Sequence, residues 1–315
     1  APVYLKAFTG KDYEGTRWTA AEAGMPGDIL MTGTGEARKA AYEQNPDRQG
    51  RGIMEVENVD ASRLYDYRPY YTDETTVEKK GDVAIYTYYP AEGEAVVPHQ
   101  EVDEAYLVVP ESCLEAVKTV CESAGFSGSP EEIAEQVVTF FSENYAYTLR
   151  PGYNVGRKDY ITFFLLDNKR GFCAHFATAG TMLFRYMGIP ARYVEGYVFS
   201  YYDIVDAGEL VEGVEYADYY SGYAPFGETA VVELEVSDAR AHGWVEIYVD
   251  GKGWVVVDPT PASGEEETTS FWDAFRNDNS MDGNDNAPNI GADTIGAYIE
   301  NAASGIASGL MLRSE

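Results

Sequence analysis

The strongest constraint on the fold lies in three short segments in the second half of the chain. The sequence reads GFCAHFA at residues 171–177, AHGW at residues 241–244 and WVVVDPTP at residues 254–261. The first opens an apolar helical pattern, and the other two lie in runs that alternate as strands do. They place a thiol, an imidazole and a carboxylate, in that order, at the ends of predicted elements.

These three groups are the ones that thiol-dependent acyl transfer requires. A thiol attacks a carbonyl carbon well only as thiolate, so it needs a base within reach and a third group to orient that base. A helix that begins at or just before Cys173 directs its first N–H groups and its dipole at the sulfur, which favours the thiolate. The same N–H groups, first that of Cys173, can bind an oxyanion. A buried structural cysteine is the alternative, and the position of Cys173 after a Lys-Arg-Gly loop favours the reactive role.

The three histidines have different expected roles. On a helix His175 points about 200° away from Cys173, so we expect it to be a packing or supporting residue. His99 adjoins Pro98 in a predicted loop, which favours a surface position. His242 opens a strand in which it shares one face with Trp244 and Glu246.

The hairpin after His242 makes a sharp prediction for Asp258. Facing residues of an antiparallel pair have numbers with a constant sum, so Asp258 lies on the His242 face only if the loop has an odd number of residues or a bulge. Gly253 suits the left-handed position of a three-residue loop. Asp258 precedes Pro259, so a plain turn role is the alternative to an orienting carboxylate.

Composition excludes several classes of partner. The 315 residues carry a formal net charge of −30, which argues against nucleic acid and anionic lipid as partners. No run of 18 apolar residues is present, so no membrane span is predicted. Cys113 and Cys121 are separated by roughly 12 Å of helix rise, which predicts two small core residues and leaves Cys173 as a free thiol.

The pattern along the chain predicts three parts. Residues 1–100 alternate in short runs and predict a β-rich N-terminal domain with a helix near residues 35–45. Residues 101–264 combine helices and strands and hold the candidate site. Residues 265–315 form an acidic low-complexity linker with a weakly helical tail. Within that tail, residues 278–289 resemble the start of a calcium loop but lack its final carboxylate, and we expect no metal site. The Tyr-rich residues 201–226 predict a surface loop that either walls the cleft or is simply exposed.

Several motifs resemble the transglutaminase-like superfamily of papain-like cysteine enzymes. They are residues 171–177, GIPARYVEGY at residues 188–197, HGWVEIY at residues 242–248 and the Gly-Trp and Asp-Pro-Thr-Pro steps that follow. One departure is Gly243, where alanine is more usual. The opening Val-Tyr-Leu, with YEGTRW at residues 13–18, also looks like the extracytoplasmic part of bacterial membrane-anchored proteins of this kind.

The resemblance implies a fold and a set of roles. The fold class is α+β, a papain/transglutaminase-like core in which the cysteine helix packs on an antiparallel sheet carrying the histidine and aspartate. Cys173 is implied as nucleophile, His242 as general base and then acid, and Asp258 as orienting carboxylate. Trp244 and Tyr197 are candidate substrate-binding residues, and no cofactor is expected.

The implied function is acyl transfer from amide groups of a protein or peptide substrate through a thioester. Hydrolysis of peptide bonds or other amides by the same triad is the alternative enzyme activity, and a non-catalytic cell-surface scaffold is the alternative of another class. The expected location is extracytoplasmic, with membrane contact only through flanking segments outside this chain.

Overall fold

The computed structural model of the chain describes residues 2–21, 32–44, 51–89, 96–152, 154, 158–200, 203, 208–212, 231–261 and 310–314. The strands of this part of the chain are β1 (Val3–Tyr13), β2 (Trp18–Ala20), β3 (Gly52–Asn58), β4 (Arg68–Pro69), β5 (Glu78–Lys80), β6 (Val83–Tyr88), β7 (Ala146–Tyr147), β8 (Arg170–Gly171), β9 (Ala191–Phe199), β10 (Glu209–Glu212), β11 (Val231–Val236), β12 (Ala241–Val249), β13 (Gly253–Val257) and β14 (Leu310–Ser314). The helices are α1 (Thr32–Gln44), α2 (Glu111–Ala124), α3 (Pro130–Asn144), α4 (Tyr160–Thr162) and α5 (Cys173–Tyr186). A π-helical turn, Phe163–Asn168, continues α4, and 3-10 turns cover Glu74–Thr76, Glu104–Leu107 and Asp238–Arg240.

The first sheet carries His242 and Trp244 on β12 and Tyr197 on β9, and Asp258 directly follows β13. Its strand order is β13-β12-β9-β1-β2, with β4 also paired to β1, and all of these pairings are antiparallel. Helix α5 packs across β12 and β9. The described structure therefore has the predicted α+β arrangement, with the cysteine helix on an antiparallel sheet.

The helices begin and end at the signals that the sequence provides. Ser129 accepts a hydrogen bond from the Glu132 amide (3.3 Å), the Glu132 carboxylate accepts one from the Ser129 amide (2.7 Å), and Pro130 opens α3. This reciprocal cap satisfies two amides that the helix itself cannot. Beyond α5, Gly188 has a φ of +78°, a conformation that favours glycine after a helix.

The main core lies between the helices and one face of the first sheet. Alternate residues of β12, such as Val245 and Ile247, are fully buried against apolar side chains of α5, including Phe176 and Leu183. Alternation in the strand and helical periodicity in α5 each produce an apolar face, and burying the two together removes both from water.

The second sheet has the order β10-β11-β14-β3-β6-β5. Its apolar residues, such as Met54 and Val56, form a smaller core with Leu5 of β1 and Phe199 of β9. Strand β1 comes from the predicted N-terminal domain, yet it pairs along β9 inside the sheet that carries His242. A boundary at residue 100 thus does not divide the chain into separately packed units, because hydrogen bonds between distant segments join them.

Two local expectations need correction. Leu310–Ser314 is a strand paired with β3 and β11, not part of a helical tail. Glu209–Glu212 is a strand paired with β11, although the Tyr-rich residues 201–226 were predicted as a loop. Most of that insert and the whole calcium-loop resemblance at residues 278–289 lie outside the described residues.

Candidate active site

Cys173 is the first residue of α5, as predicted, and only 6% of it is exposed. The short parallel pair of β7 and β8 ends immediately before it and fixes the entry of the chain into the helix. Gly171 is needed there, because a Cβ would lie 2.5 Å from the ring of His175. The amides of His175 and Phe176 donate to the Phe172 carbonyl, so the amides of Cys173 and Ala174, the first two of α5, are the candidates for an oxyanion beside the sulfur.

His242 and Asp258 meet at the end of the hairpin formed by β12 and β13. The Nε2 atom of His242 lies 2.7 Å from Oδ2 of Asp258. Val249 pairs with Gly253 across a three-residue loop, and the register continues unbroken to Val245 and Val257. The loop is odd, as predicted, so Asp258 lies on the same face as His242. Gly253 has a φ of +76°.

The imidazole of His242 lies between a thiol and a carboxylate. Burial lowers the pKa of His242, but hydrogen bonds with Asp258 and Cys173, and the charges of both partners, outweigh burial and raise the pKa to about 10. Because Nε2 faces Asp258, Nδ1 is the ring nitrogen left for Cys173. These interactions therefore favour the protonated form of His242 at neutral pH.

The Asp258 carboxylate is stabilised as an anion. Burial raises its pKa, but the hydrogen bond and charge of His242 and the amide of Thr260 lower it more, so the net shift is downward. The Thr260 amide donates to Oδ1 at 3.1 Å. The hydroxyl of Tyr4, from the distant strand β1, donates to Oδ2 at 3.2 Å.

Aromatic rings support the His242 side of the site. Trp244 lies 6.3 Å from the ring of His242 in a nearly parallel orientation, and its Nε1 donates to the hydroxyl of Tyr70 at 2.7 Å. Trp244 is fully buried, and Tyr197 is 6% exposed in the smaller core beside Tyr67. Both rings are enclosed in the described structure, and substrate contact by Trp244 and Tyr197 stays a prediction.

A buried ionic cluster lies on the same face of the sheet. The Glu246 carboxylate is fully buried and accepts hydrogen bonds from Lys6 (2.8 and 2.9 Å), from Arg192 and from Tyr70. Strand alternation predicts that Glu246 shares a face with His242, but it gives no sign that the carboxylate is buried between two cations.

The opposite face of the sheet has one acidic group near the site. Glu195 of β9 pairs with Gly243 and accepts a hydrogen bond from Tyr193. Burial raises the pKa of Glu195 to about 7. A Cβ at Gly243 would lie 3.2 Å from the Tyr193 hydroxyl and 3.7 Å from the Ala174 amide, so Gly243 keeps this approach to α5 open. Sequence reasoning noted Gly243 only as a departure from the family pattern and did not single out Glu195.

The remaining histidines and cysteines occupy the positions expected of them. His175 is buried against Tyr160 and Phe164, its Nδ1 accepts the Phe172 amide at 3.3 Å, and burial lowers its pKa to about 3. His99 is exposed beside Asp250. The two cysteines of α2, Cys113 and Cys121, are buried and unbridged, and burial raises the pKa of each to about 12.

No group of three or more His, Cys, Asp or Glu side chains among the described residues is arranged to hold a metal ion. No helix among them has the length and apolar character to cross a bilayer.

Comparison with known proteins identifies the domain that carries this site. Residues 118–259 match the sequence model of the transglutaminase-like superfamily. The chain is 35% identical over 128 residues to a protein-glutamine gamma-glutamyltransferase of Pseudomonas aeruginosa, a match covering 41% of this chain and 15% of that protein. It is 34% identical over 103 residues to the uncharacterized protein YebA of Bacillus subtilis, covering 33% of this chain and 11% of that protein. The matches thus span a small part of both relatives.

A solved structure supports the fold. The periplasmic domain of TgpA from Pseudomonas aeruginosa superposes with a TM-score of 0.51 at 23% identity, over 82% of this chain and 81% of that one. The sequence match, the related curated protein and the shared fold agree: this chain contains a domain of the transglutaminase-like superfamily.

Proposed function

We propose that this protein is a thiol enzyme that transfers the acyl group of an amide, in a protein or peptide substrate, through a thioester on Cys173. The observation that carries the proposal is the position of His242, whose Nε2 atom lies 2.7 Å from Oδ2 of Asp258 and whose imidazole also interacts with Cys173. Such an arrangement generates a thiolate paired with an imidazolium, the reactive form in cysteine enzymes.

In the first half-reaction the thiolate attacks the amide carbonyl carbon. The amide groups at the start of α5 donate to the oxyanion that forms, which lowers the barrier to the tetrahedral intermediate. The imidazolium of His242 then gives its proton to the departing nitrogen as the C–N bond breaks, and the thioester remains. Asp258 keeps the ring oriented and supports its positive charge.

In the second half-reaction neutral His242 takes a proton from an acceptor, which attacks the thioester carbonyl as the C–S bond breaks. A primary amine gives a new amide, and water gives a carboxylate. The name of the Pseudomonas aeruginosa relative, a protein-glutamine gamma-glutamyltransferase, supports glutamine side chains as donors. Hydrolysis of an amide or peptide bond is the second outcome that the same three residues support.

We further propose that this domain works outside the cytoplasm, and that flanking segments outside this chain anchor it to a membrane. The proposal is supported by the similar periplasmic domain of TgpA. Protease treatment of intact and of permeabilised cells that express the natural protein tests the location. Digestion of the domain only after the cytoplasmic membrane is opened would contradict it.

Alkylation tests the reactive thiol without knowledge of the substrate. We expect iodoacetamide to modify Cys173 faster than a free thiol such as glutathione at about pH 6 to 7, because the pair with His242 maintains the thiolate there. Cys113 and Cys121 serve as internal references, since both are buried with raised pKa values. Peptide mapping reports all three sites, and alkylation of Cys173 no faster than glutathione would contradict the proposal and favour a non-catalytic scaffold.

Acyl transfer itself is measured with glutamine-containing peptides and a fluorescent primary amine. Incorporation of the amine with release of ammonia indicates transfer, and ammonia release without incorporation indicates hydrolysis of the side-chain amide. Cleavage of the peptide indicates peptidase activity. The variant Cys173→Ala is expected to abolish all three reactions, and activity that survives this substitution would remove the mechanism.

A further inference from the structure

One contact at the site comes from a strand far outside residues 118–259, the part that matches the family. Tyr4 of β1 donates its hydroxyl to Oδ2 of Asp258 at 3.2 Å. His242 contacts the same oxygen at 2.7 Å. A carboxylate oxygen has two lone pairs and can accept from both groups at once.

The ring of Tyr4 is held in place on the face of the sheet that carries His242. It lies 4.9 Å from the ring of Trp244 and 6.3 Å from the ring of Tyr70. Trp244 in turn faces the ring of His242. Tyr4 therefore contacts Asp258 directly and reaches the side of His242 through one intervening indole.

Tyr4 remains a hydrogen-bond donor over the pH range of the reaction. Its burial, its hydrogen bond to Asp258 and the charge of that carboxylate all raise the pKa of the phenol. A neutral phenol donates a hydrogen bond to the Asp258 carboxylate but carries no charge, so it stabilises the carboxylate less than the imidazolium does.

We propose that Tyr4 is a positioning residue of the site, which fixes the Asp258 carboxylate and shares its Oδ2 atom with His242. The proposal rests on the function proposed above. Strand β1 then contributes a side chain to the site, although Tyr4 lies 254 positions from Asp258 along the chain.

The expected consequence follows from the sharing of one oxygen. Without the hydrogen bond from the phenol, the negative charge of Asp258 interacts more strongly with His242. The imidazolium therefore loses its proton at a higher pH. The carboxylate also loses one of the contacts that fix its orientation, so the thiolate–imidazolium pair reacts more slowly at neutral pH. The titratable groups that act on His242 are Asp258 and Cys173 at the start of α5, whereas Tyr193 and Glu195 of the neighbouring strand β9 lie on the opposite face of the sheet.

The test compares Tyr4→Phe with the wild type in alkylation of Cys173 by iodoacetate across a series of pH values. Iodoacetate is an anion, so its reaction is fastest while His242 is an imidazolium and slows as the ring loses its proton. For Tyr4→Phe we expect a rate about 3- to 10-fold lower at neutral pH and an alkaline limb shifted upward by roughly half a pH unit, the effect of one hydrogen bond.

A matched control separates positioning from loss of packing. Tyr145 is a buried tyrosine, whereas Tyr4 is partly buried, and the Tyr145 hydroxyl donates to the Leu165 carbonyl at 2.8 Å, away from the site. Tyr145→Phe is expected to leave both the neutral rate and the alkaline limb unchanged, while the folded fraction of each variant is followed by circular dichroism.

The outcomes distinguish this inference from the proposed function. If wild-type Cys173 shows no enhanced alkylation, the proposed function fails. If the wild type is reactive and folded Tyr4→Phe has the same neutral rate and the same alkaline limb, the role of Tyr4 is overturned and the function stands. A slower rate with an unmoved limb, matched by Tyr145→Phe, would also overturn it, because packing alone would then account for the change.

Discussion

The two faces of the first sheet carry different kinds of side chain. The face that α5 covers is mostly aliphatic, and Val245, Ile247 and Val257 are buried there. The other face carries Trp244, with rings and charged groups around it, and Glu246 between two cations. The aliphatic face gains stability from burial with no demand on geometry beyond close packing, whereas each polar group of the other face needs a partner at hydrogen-bond distance.

This difference shows which contacts orient the side chains of the site. His242 and Asp258 lie on the polar and aromatic face, where directional contacts from Tyr4 and the Thr260 amide fix the carboxylate. Cys173 comes from α5, which the aliphatic face supports. The thiol is thus positioned by packing of a helix, and the imidazole and carboxylate by hydrogen bonds.

The largest expected effect comes from removal of the carboxylate on the polar face. We expect Asp258→Ala to lower amine incorporation about 10³-fold or more, because His242 loses both its orientation and the charge that supports its imidazolium. In the pH profile of alkylation by iodoacetate, the alkaline limb lies near the His242 pKa of about 10 in the wild type and should shift to lower pH in this variant.

The matched variant for this prediction is Asp258→Asn, which keeps an acceptor oxygen and removes the charge. It should retain more activity than Asp258→Ala while its alkaline limb also falls. Equal activity of wild type and Asp258→Ala would exclude an orienting role for this residue.

The next largest effect compares what one side chain on each face contributes to the free energy of unfolding. Glu246→Gln removes the negative charge that Lys6 and Arg192 share, and we expect a loss of about 3 to 5 kcal/mol in the free energy of unfolding. On the aliphatic face, Ile247→Val removes one buried methylene and should cost about 0.5 to 1.5 kcal/mol. Urea denaturation measures both. Similar losses for the two variants would show that the faces are energetically alike.

The smallest effect concerns Glu195, an acidic side chain near the aliphatic face. Burial raises the pKa of Glu195 from 4.5 to about 7. The folded protein therefore holds a proton that the unfolded chain has released, so stability falls as the pH rises from about 4.5 to 7 and is constant above that range.

Glu195→Gln should remove this slope and gain on the order of 1 kcal/mol over wild type above about pH 7, since the side chain is partly exposed. Thermal unfolding at a series of pH values measures the slope. Parallel curves for the two proteins would show that Glu195 titrates normally in the fold.

Much of the architecture could be predicted from local patterns. Alternation located β9 and β12, and the Ser129 cap and Gly188 marked helix ends, because these signals act between residues close in sequence. The odd hairpin loop placed Asp258 on the face of His242 before any contact was known, since parity in an antiparallel pair depends only on loop length.

What the sequence did not reveal has a common physical cause. Alternation tells which side of a strand a ring takes and not what covers that side, so it did not show that Trp244 and Tyr197 are enclosed. The proposed boundary at residue 100 likewise overlooked the pairing of β1 with β9, because backbone hydrogen bonds between distant strands leave no periodic trace in either segment.

The sequence by itself indicated the candidate thiol, imidazole and carboxylate, the elements that carry them and the loop parity that puts Asp258 on the face of His242, because each depends on a few adjacent residues. Only the tertiary structure decided that Tyr4 reaches Asp258, that Glu246 is buried between Lys6 and Arg192, and that Trp244 is enclosed. These contacts join strands that are far apart in the chain, and the burial that gives them their strength exists only when the whole sheet is assembled.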